Sequence, residues 1–226
     1  MSYSSVIAID GPSGSGKSTI AKEIGKKIGY TYIDTGAMFR SLGFYFHNLN
    51  ILEDQIDEIK SHLEKIDFQY GESENKLTIV NGVNLTEKIR EHFVSDLASR
   101  YSKVQVIRDY LKVFQQNLAK KHSCVMEGRD IGTVIFPNAF LKVFLTASDE
   151  VRAHRRKNQL DEKGEIVNLE QILMDIKSRD ERDSSRSNAP LKKADDAIEI
   201  NTDHLTIDEV INKIIELEKL HRTRLN

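Results

Sequence analysis

The sequence predicts an α/β fold in which a five-stranded parallel sheet carries helices on both faces. Short apolar runs alternate with amphipathic helical stretches along most of the chain, which is typical of parallel sheets. This alternation is broken in only one stretch, residues 63–100. With 226 residues, 39% of them hydrophobic and 30% charged, the chain has the size and composition of one large globular domain.

Five apolar runs predict the five strands, and helical periodicity fills most of the sequence between them. The predicted strands are residues 5–10, 30–34, 124–127, 141–146 and 197–200. The clearest predicted helices are residues 18–28, 37–49 and 101–121. The last helix is expected to begin at the sequence TIDE, residues 206–209, because its Thr and Glu have the spacing of a capping box.

Residues 63–100 have a different pattern. The sequences IDFQY and LTIV, at 66–70 and 77–80, indicate strands with no helix between them. The dipeptide Asn81-Gly82 follows, and it favours a tight hairpin turn. We therefore predict a single domain, residues 1–226, with a small β-rich insertion at 63–100.

Composition excludes several classes of protein. The formal net charge of −2 argues against a general nucleic-acid or membrane-surface binder, which would carry a basic excess. The single cysteine, Cys124, excludes internal disulfides, and no apolar run approaches the roughly 20 residues of a membrane span. The seven histidines lack the spacing of a transition-metal site. We expect a cytoplasmic monomer that binds neither nucleic acid nor membrane.

The turn after the first strand, GPSGSGKST, matches the phosphate-loop pattern G-x-x-x-x-G-K-[ST]. Its glycines allow the loop to curl so that backbone N–H groups point at phosphates. Lys17 would place its charge on the β- and γ-phosphate oxygens, and Ser18 would offer its hydroxyl to Mg²⁺. The predicted ATP-binding residues are Gly11, Pro12, Ser13, Gly14, Ser15, Gly16, Lys17, Ser18 and Thr19.

Arginines follow the predicted strands or lie on helices beside them. Arg40 and Arg129 each come after a strand, at the edge where open sheets bind ligands. Phosphoryl transfer between two anions needs such cations, because catalysis consists largely of positioning and charge neutralisation. A GTPase would normally carry an NKxD motif, which is absent, so the pattern favours a small-molecule kinase. Further candidates are Arg152, Arg155, Arg156, Arg179 and Arg186.

The last two of these arginines belong to a charged stretch after an amphipathic helix. The apolar stripe of that helix consists of Leu169, Ile172, Leu173 and Ile176. Extended at about 100° per residue, the helix would carry Arg179, Asp183 and Arg186 along one flank of the stripe, where a cleft would border it. Glu181 and Arg182 would point away from the stripe.

Four motifs occur in order, GPSGSGKST, DTGAMFR, EGRDIGTVIFP and SRDERDSSR, and with them the chain resembles the bacterial-type cytidylate kinases almost from end to end. The resemblance implies a P-loop kinase fold with a core of residues 1–62, 101–149 and 168–226. It implies that 63–100 binds the nucleoside monophosphate and that 150–167 forms a helical lid. The implied reaction, in pyrimidine nucleotide metabolism, converts ATP and CMP or dCMP to ADP and CDP or dCDP with Mg²⁺.

The resemblance also assigns roles to individual residues. The implied catalytic residues are Lys17, Arg129, Arg155 and Arg186. Ser18 would bind Mg²⁺ together with waters, and Glu127 would act on the metal through water at a position where the family most often has Asp. The implied substrate-binding residues are Thr35, Arg40, Ser99, Arg108, Arg129, Asp130, Arg179, Asp183 and Arg186.

The chemistry of cytosine agrees with the base-reading residues among these. Cytosine presents an amine donor beside two acceptors, so a carboxylate such as Asp130 and an arginine such as Arg108 can satisfy it. Uracil would leave Asp130 unpaired, so we predict a preference for CMP over UMP. Ser99 and Arg108 are nine residues apart, and both can reach the base only if the helix breaks near residues 101–103.

Two alternatives stay open. The chain could be a P-loop kinase for another small acceptor, such as UMP or shikimate, or a nucleotide-binding regulatory module without catalysis. The intact Lys17, Ser18, Arg40 and Arg129 argue against the second. The sequence does not separate CMP from dCMP, or ATP from GTP as the donor.

Overall fold

A computed structural model describes residues 5–71, 78–91 and 93–225 of the chain. These residues form two compact units. The first unit comprises Met1–Tyr32 and His122–Asn226, and the second comprises Ile33–Lys121. The predicted insertion, residues 63–100, lies within the second unit, and the predicted lid, residues 150–167, lies within the first.

The described elements alternate between strand and helix from residue 6 to residue 48, and this alternation is less regular in the rest of the chain. In chain order they are β1 (Val6–Asp10), α1 (Lys17–Ile28), β2 (Thr31–Asp34), α2 (Thr35–Asn48), α3 (Ile56–Leu63), β3 (Phe68–Tyr70), β4 (Thr78–Val80), β5 (Val83–Asn84), α4 (Val94–Tyr101), α5 (Gln105–Lys121), β6 (Cys124–Gly128), β7 (Leu141–Thr146), α6 (Asp149–Asp161), α7 (Leu169–Ser184), β8 (Ile198–Asn201) and α8 (Ile207–Leu225). No helix in these described parts is long and apolar enough to cross a membrane.

The main sheet has the strand order β2-β6-β1-β7-β8. β1 pairs in parallel with β6 and β7, and β7 pairs in parallel with β8. Every residue of β1 is buried, as expected for a central strand covered on both faces. The predicted α/β fold with five strands is confirmed, and the bounds of β7 are those expected.

Two helices of the first unit pack on this sheet through apolar stripes. Ile20, Ala21 and Ile24 of α1 share a buried cluster with strand residues such as Ile7 and Val143. α8 adds residues at matching helical spacing to the same cluster. The contributing residues of α8 are Val210, Ile211 and Ile214.

The predicted capping box begins α8. The Thr206 backbone N–H donates to Glu209 Oε2 at 2.7 Å, and the Glu209 N–H donates to Thr206 Oγ1 at 3.3 Å. These two bonds satisfy amide groups that the first helical turn leaves without partners.

The second unit contains a small antiparallel sheet of order β3-β4-β5. Asn81 and Gly82 join β4 to β5 with φ angles of 49° and 78°, which are the positive values of a type I′ hairpin turn. The Asn81 Oδ1 accepts from the Asp67 N–H at 2.9 Å, and its Nδ2 donates to the Tyr45 hydroxyl at 3.2 Å. The expected hairpin is confirmed, although Leu77, expected to begin β4, lies outside the described residues.

Two predicted helices differ from the structure. The helix expected at 101–121 begins at Gln105, and Tyr101 ends the preceding helix α4. The helix expected to extend through Arg186 ends at Ser184, so the placement of Arg186 on its flank was wrong. The Asp183 carbonyl oxygen accepts from the Leu191 N–H at 2.7 Å, so the chain has already turned away from the helical path.

Candidate functional site

The phosphate loop lies between the end of β1 and the start of α1, and close packing requires two of its glycines. A Cβ atom on Gly11 would lie 2.1 Å from the Leu145 carbonyl oxygen. Gly14 has a φ of 78°, and a Cβ there would lie 3.0 Å from Arg152 Cβ. The loop is therefore held directly against β7 and α6.

Lys17 is buried at the centre of this loop. Its Nζ donates to the Pro12 carbonyl oxygen at 2.6 Å and to Ser15 Oγ at 3.4 Å. Burial, and after it the positive charge of Arg129, lowers the pKa of Lys17 to about 7. The loop therefore holds a cation whose charge is poorly compensated, which suits an anionic ligand.

Three arginines surround the buried Asp183, which is 3% exposed. Its carboxylate lies 3.0 Å from Arg129 Nε, 4.0 Å from Arg179 Nε and 3.9 Å from an Arg186 terminal nitrogen. Burial opposes ionisation of Asp183, but the three guanidinium groups outweigh it and hold its pKa below the usual range. Three positive charges facing one negative charge leave this cluster with a positive excess.

The arginine cluster and the phosphate loop form one site in the first unit. An Arg179 terminal nitrogen lies 3.5 Å from Ser13 Oγ, which is at the limit of hydrogen bonding. The charges of Arg129 and Arg179 both act on Lys17, as does the opposing charge of Glu127. Such a concentration of cations at a glycine-rich loop is suited to binding phosphate groups.

Arg155 and Arg152 both lie on α6 but make different contacts. Arg155 donates to Thr202 Oγ1 at 3.0 Å and to the Thr202 carbonyl oxygen at 2.7 Å. Arg152, 2% exposed, donates to the Ser13 carbonyl oxygen at 2.9 Å and pairs with Asp180 of α7 at 2.6 Å. Arg152 thus holds the phosphate loop, a role that its sequence position alone does not reveal.

The two residues predicted to act on Mg²⁺ lie on different elements of the first unit, Ser18 on α1 and Glu127 on β6. Ser18 is exposed in the first turn of α1. Glu127 is buried near the end of β6, and the Tyr32 hydroxyl donates to its Oε1 at 2.9 Å. Within the described ranges, no group of three or more His, Cys, Asp or Glu is placed to hold a metal ion.

The N-terminus of α2, in the second unit, holds two of the predicted substrate-binding residues. Asp34 caps this helix by accepting from the Ala37 N–H at 2.9 Å. The other oxygen of Asp34 pairs with Arg40 at 2.9 Å, which fixes the arginine beside the first turn. Thr35, the first residue of the helix, is buried there.

The predicted break in the helix between Ser99 and Arg108 is present, since α4 ends at Tyr101 and α5 begins at Gln105. A short chain of hydrogen bonds links the two sides. Arg108 donates to the Ser102 carbonyl oxygen at 3.0 Å, and Ser102 Oγ donates to the Ser99 carbonyl oxygen at 2.9 Å. The Ser99 hydroxyl is buried and, among the described residues, has no hydrogen-bond partner. Its role in reading the base stays a prediction.

The predicted site residues thus fall into two groups. Thr35, Arg40, Ser99 and Arg108 belong to the second unit, and the others belong to the first. One residue of the first unit was missed by sequence reasoning. Asp10 accepts hydrogen bonds from the N–H groups of Ile131 and Gly132, just after Arg129 and Asp130. The available signal was a carboxylate at the end of an otherwise apolar strand.

The chain is similar to known proteins over almost its whole length. A sequence profile of the cytidylate kinases matches residues 7–220. The chain is 48% identical over 212 residues to a cytidylate kinase of Caldicellulosiruptor saccharolyticus, covering 93% of this chain and 94% of that protein. It is 45% identical over 213 residues to a cytidylate kinase of Fervidobacterium nodosum, covering 94% and 95%. A solved structure of an uncharacterized protein from Eubacterium ventriosum is similar in fold, with a TM-score of 0.51 at 15% identity over 95% of this chain and 98% of that one.

Proposed function

The chain belongs to the cytidylate kinase family, and we propose that it transfers the γ-phosphate of ATP to CMP or dCMP. The observation that carries the proposal is the convergence of Lys17, Arg129 and Arg179 at the phosphate loop of the first unit. These cations would neutralise the charge that spreads over the transferring group. A regulatory module without catalysis would not need to keep them together.

The reaction we propose is a direct in-line displacement. An oxygen of the CMP phosphate attacks the γ-phosphorus, and the bond to the β-phosphate bridging oxygen breaks. Lys17, Arg129 and Arg186 bind the phosphate oxygens, and Arg155 joins them from α6. No general base is required, because the attacking phosphate is already an anion.

The donor set of the first unit fits Mg²⁺. Magnesium prefers oxygen ligands and usually takes few of them from protein when it is bound to nucleotide phosphates. The exposed Ser18 hydroxyl would bind the metal, and Glu127, oriented by Tyr32, would hold a water on it. The bound metal would supply charge neutralisation at the β- and γ-phosphates.

We assign the acceptor nucleotide to the remaining predicted residues. Thr35 and Arg40 would bind the monophosphate, which suits the place of Thr35 in the first turn of α2 and the pairing of Arg40 with the capping residue Asp34. Ser99, Arg108 and Asp130 would read cytosine, and the buried Ser99 hydroxyl supports this because it has no partner among the described residues. Arg179 and Asp183 would lie near the ribose.

Two chain segments, residues 63–100 and 150–167, are proposed to move with the substrates. Residues 63–100 would act as the monophosphate-binding segment and residues 150–167 as a lid that excludes water. We propose a cytoplasmic monomer of pyrimidine nucleotide metabolism that acts on ATP, CMP and dCMP and binds neither nucleic acid nor membrane. The net charge of −2 and the absence of a basic excess support the last two points.

An ADP-release assay with Mg-ATP tests the reaction against CMP, dCMP, UMP, AMP and shikimate. We expect turnover with CMP and dCMP, far slower turnover with UMP and none with AMP or shikimate, and we expect all turnover to be lost in Lys17→Ala. The matched control is Lys26→Ala, an exposed lysine of the same helix, which should leave turnover unchanged. Activity with UMP or shikimate instead would keep a kinase but reject the base-reading residues. Inactivity with every acceptor would favour the regulatory module.

A further inference from the structure

Asp10 ends β1 directly before the phosphate loop and is 5% exposed. Its two carboxylate oxygens accept from consecutive backbone N–H groups, Oδ1 from Ile131 at 2.9 Å and Oδ2 from Gly132 at 2.7 Å. These two amides follow Arg129 and Asp130 in the chain. Asp10 therefore clasps the backbone of the segment that carries both side chains.

The surrounding contacts leave this segment little freedom to shift. The β1–β6 register places Asp10 opposite Gly128, so the segment leaves β6 beside the clasp. A Cβ atom on Gly132 would lie 3.1 Å from Lys142 Cδ and 3.4 Å from Asp10 Oδ2. The backbone at Gly132 is thus packed closely between the side chains of Lys142 and Asp10, so the position of the segment depends on both contacts.

We propose that Asp10 is a positioning residue, which orients Arg129 and Asp130 toward CMP by holding the N–H groups of Ile131 and Gly132. The inference rests on the proposed function. Asp10 would touch neither substrate. Its effect would pass through two backbone hydrogen bonds to the residues that bind phosphate and read the base.

The environment of Asp10 makes it possible to distinguish a residue that positions the segment from one that stabilises the fold. Burial raises the pKa of Asp10 to about 7 although both backbone N–H groups lower it; the charge of Asp130 raises it and that of Lys17 lowers it. Folding raises this pKa from 3.8, so ionisation of Asp10 destabilises the folded state. This destabilisation increases as the pH rises from about 4 to about 7. An isosteric amide at pH 8 is therefore expected to weaken the clasp without lowering stability.

The test is Asp10→Asn at pH 8, which replaces one acceptor with an N–H₂ group facing a backbone N–H. We expect the ratio of kcat/KM for CMP to that for UMP to fall on the order of tenfold, while the thermal midpoint does not fall. Glu209→Gln is the matched control, since that exposed carboxylate also accepts a backbone N–H but lies at the start of α8. An unchanged CMP-to-UMP ratio in Asp10→Asn would overturn the proposal, whatever its stability.

A second measurement uses the wild type and does not depend on how the variant folds. In a sample labelled with both ¹³C and ¹⁵N, the amide protons of Ile131 and Gly132 should shift with the same midpoint as the Asp10 carboxyl carbon. If the amide proton shifts of Ile131 and Gly132 did not change as Asp10 titrates, the proposal would be wrong. Failure of the proposed function looks different, because the wild type would then show no turnover of CMP while the NMR titration still reports on the clasp.

Discussion

Lys17 is held in an environment that opposes its own charge. It is buried, and two arginines add their positive charge, so its pKa falls to about 7. Among the residues that the structure describes, its ammonium group donates only to a carbonyl oxygen and a hydroxyl. The anionic phosphates of ATP would supply the countercharge that is missing, and their arrival would raise the pKa of Lys17 again.

We therefore expect ATP binding to take up protons. At pH 8 most Lys17 side chains are neutral before binding, so the uptake should approach about one proton, and at pH 6 it should be far smaller. Calorimetric titrations in two buffers of different ionisation enthalpy measure this uptake. Lys17→Arg should abolish the pH dependence, because arginine stays charged. An uptake that is equal at both pH values in the wild type would contradict the pKa assigned to Lys17.

Among the helices, α6 is tied to the phosphate loop by one buried side chain. Arg152 spans from α6 to Ser13 and to Asp180 of α7, and it also donates to the Ala147 carbonyl oxygen at 3.0 Å. Its guanidinium group thus joins two helices to the loop that would bind ATP. The base of the predicted lid, residues 150–167, is anchored there.

Arg152→Met should remove this anchor. We expect a loss of about 2 to 4 kcal/mol of folding stability, because Asp180 would lose a buried cation and Ser13 a donor. The KM for ATP should rise more than the KM for CMP. Urea unfolding and steady-state kinetics measure the two effects.

The control for this variant is Lys157→Met on the same helix. Lys157 pairs with Asp161 at 2.8 Å on a more exposed surface, so its loss should change stability by less than about 0.5 kcal/mol. If Arg152→Met left both stability and the KM for ATP near the wild-type values, the anchoring role would be wrong.

Features that depend on local sequence were predicted correctly, whereas contacts between distant parts of the chain were not. The strands, the phosphate loop and the capping box of α8 were predicted because each depends on residues close together in the chain. The Asp10 clasp joins residues 121 positions apart, and Arg152 reaches Ser13 across 139 positions. No local periodicity signals such pairs. The end of α7 was missed because Ser184 to Arg186 continues a charged helical pattern that a tertiary hydrogen bond interrupts.

Over the whole molecule, the predicted ligand residues are divided by unit. All residues of the phosphate loop belong to the first unit, whereas Thr35, Arg40, Ser99 and Arg108 belong to the second. The residues proposed to bind ATP are therefore confined to the first unit, whereas those proposed to bind CMP are found in both units, since Arg129, Asp130, Arg179, Asp183 and Arg186 lie in the first. Each unit should therefore respond in its own way to each nucleotide.

Hydrogen exchange tests this division. Mg-ATP alone should slow exchange of the phosphate loop and α1, and it should leave α4 and the first turn of α2 unchanged. CMP alone should slow exchange in α2, α4 and the first turn of α5. A matched measurement with UMP at the same concentration should give less protection in α4 and α5. Equal protection of both units by ATP alone would contradict the assignment.

The hairpin of the second unit carries a chemical consequence for the ageing of the protein. An exposed Asn-Gly pair is prone to deamidation, in which the backbone nitrogen of the glycine attacks the side-chain amide carbon and ammonia leaves. Water then opens the resulting five-membered ring to give aspartate or isoaspartate. Asn81 is exposed, but its side chain is held by Asp67 and Tyr45, so both hydrogen bonds must break before the ring can close. The same turn that shapes the hairpin is therefore the place where it can deamidate at Asn81 with age. The rate of that deamidation is governed by how often the turn opens locally.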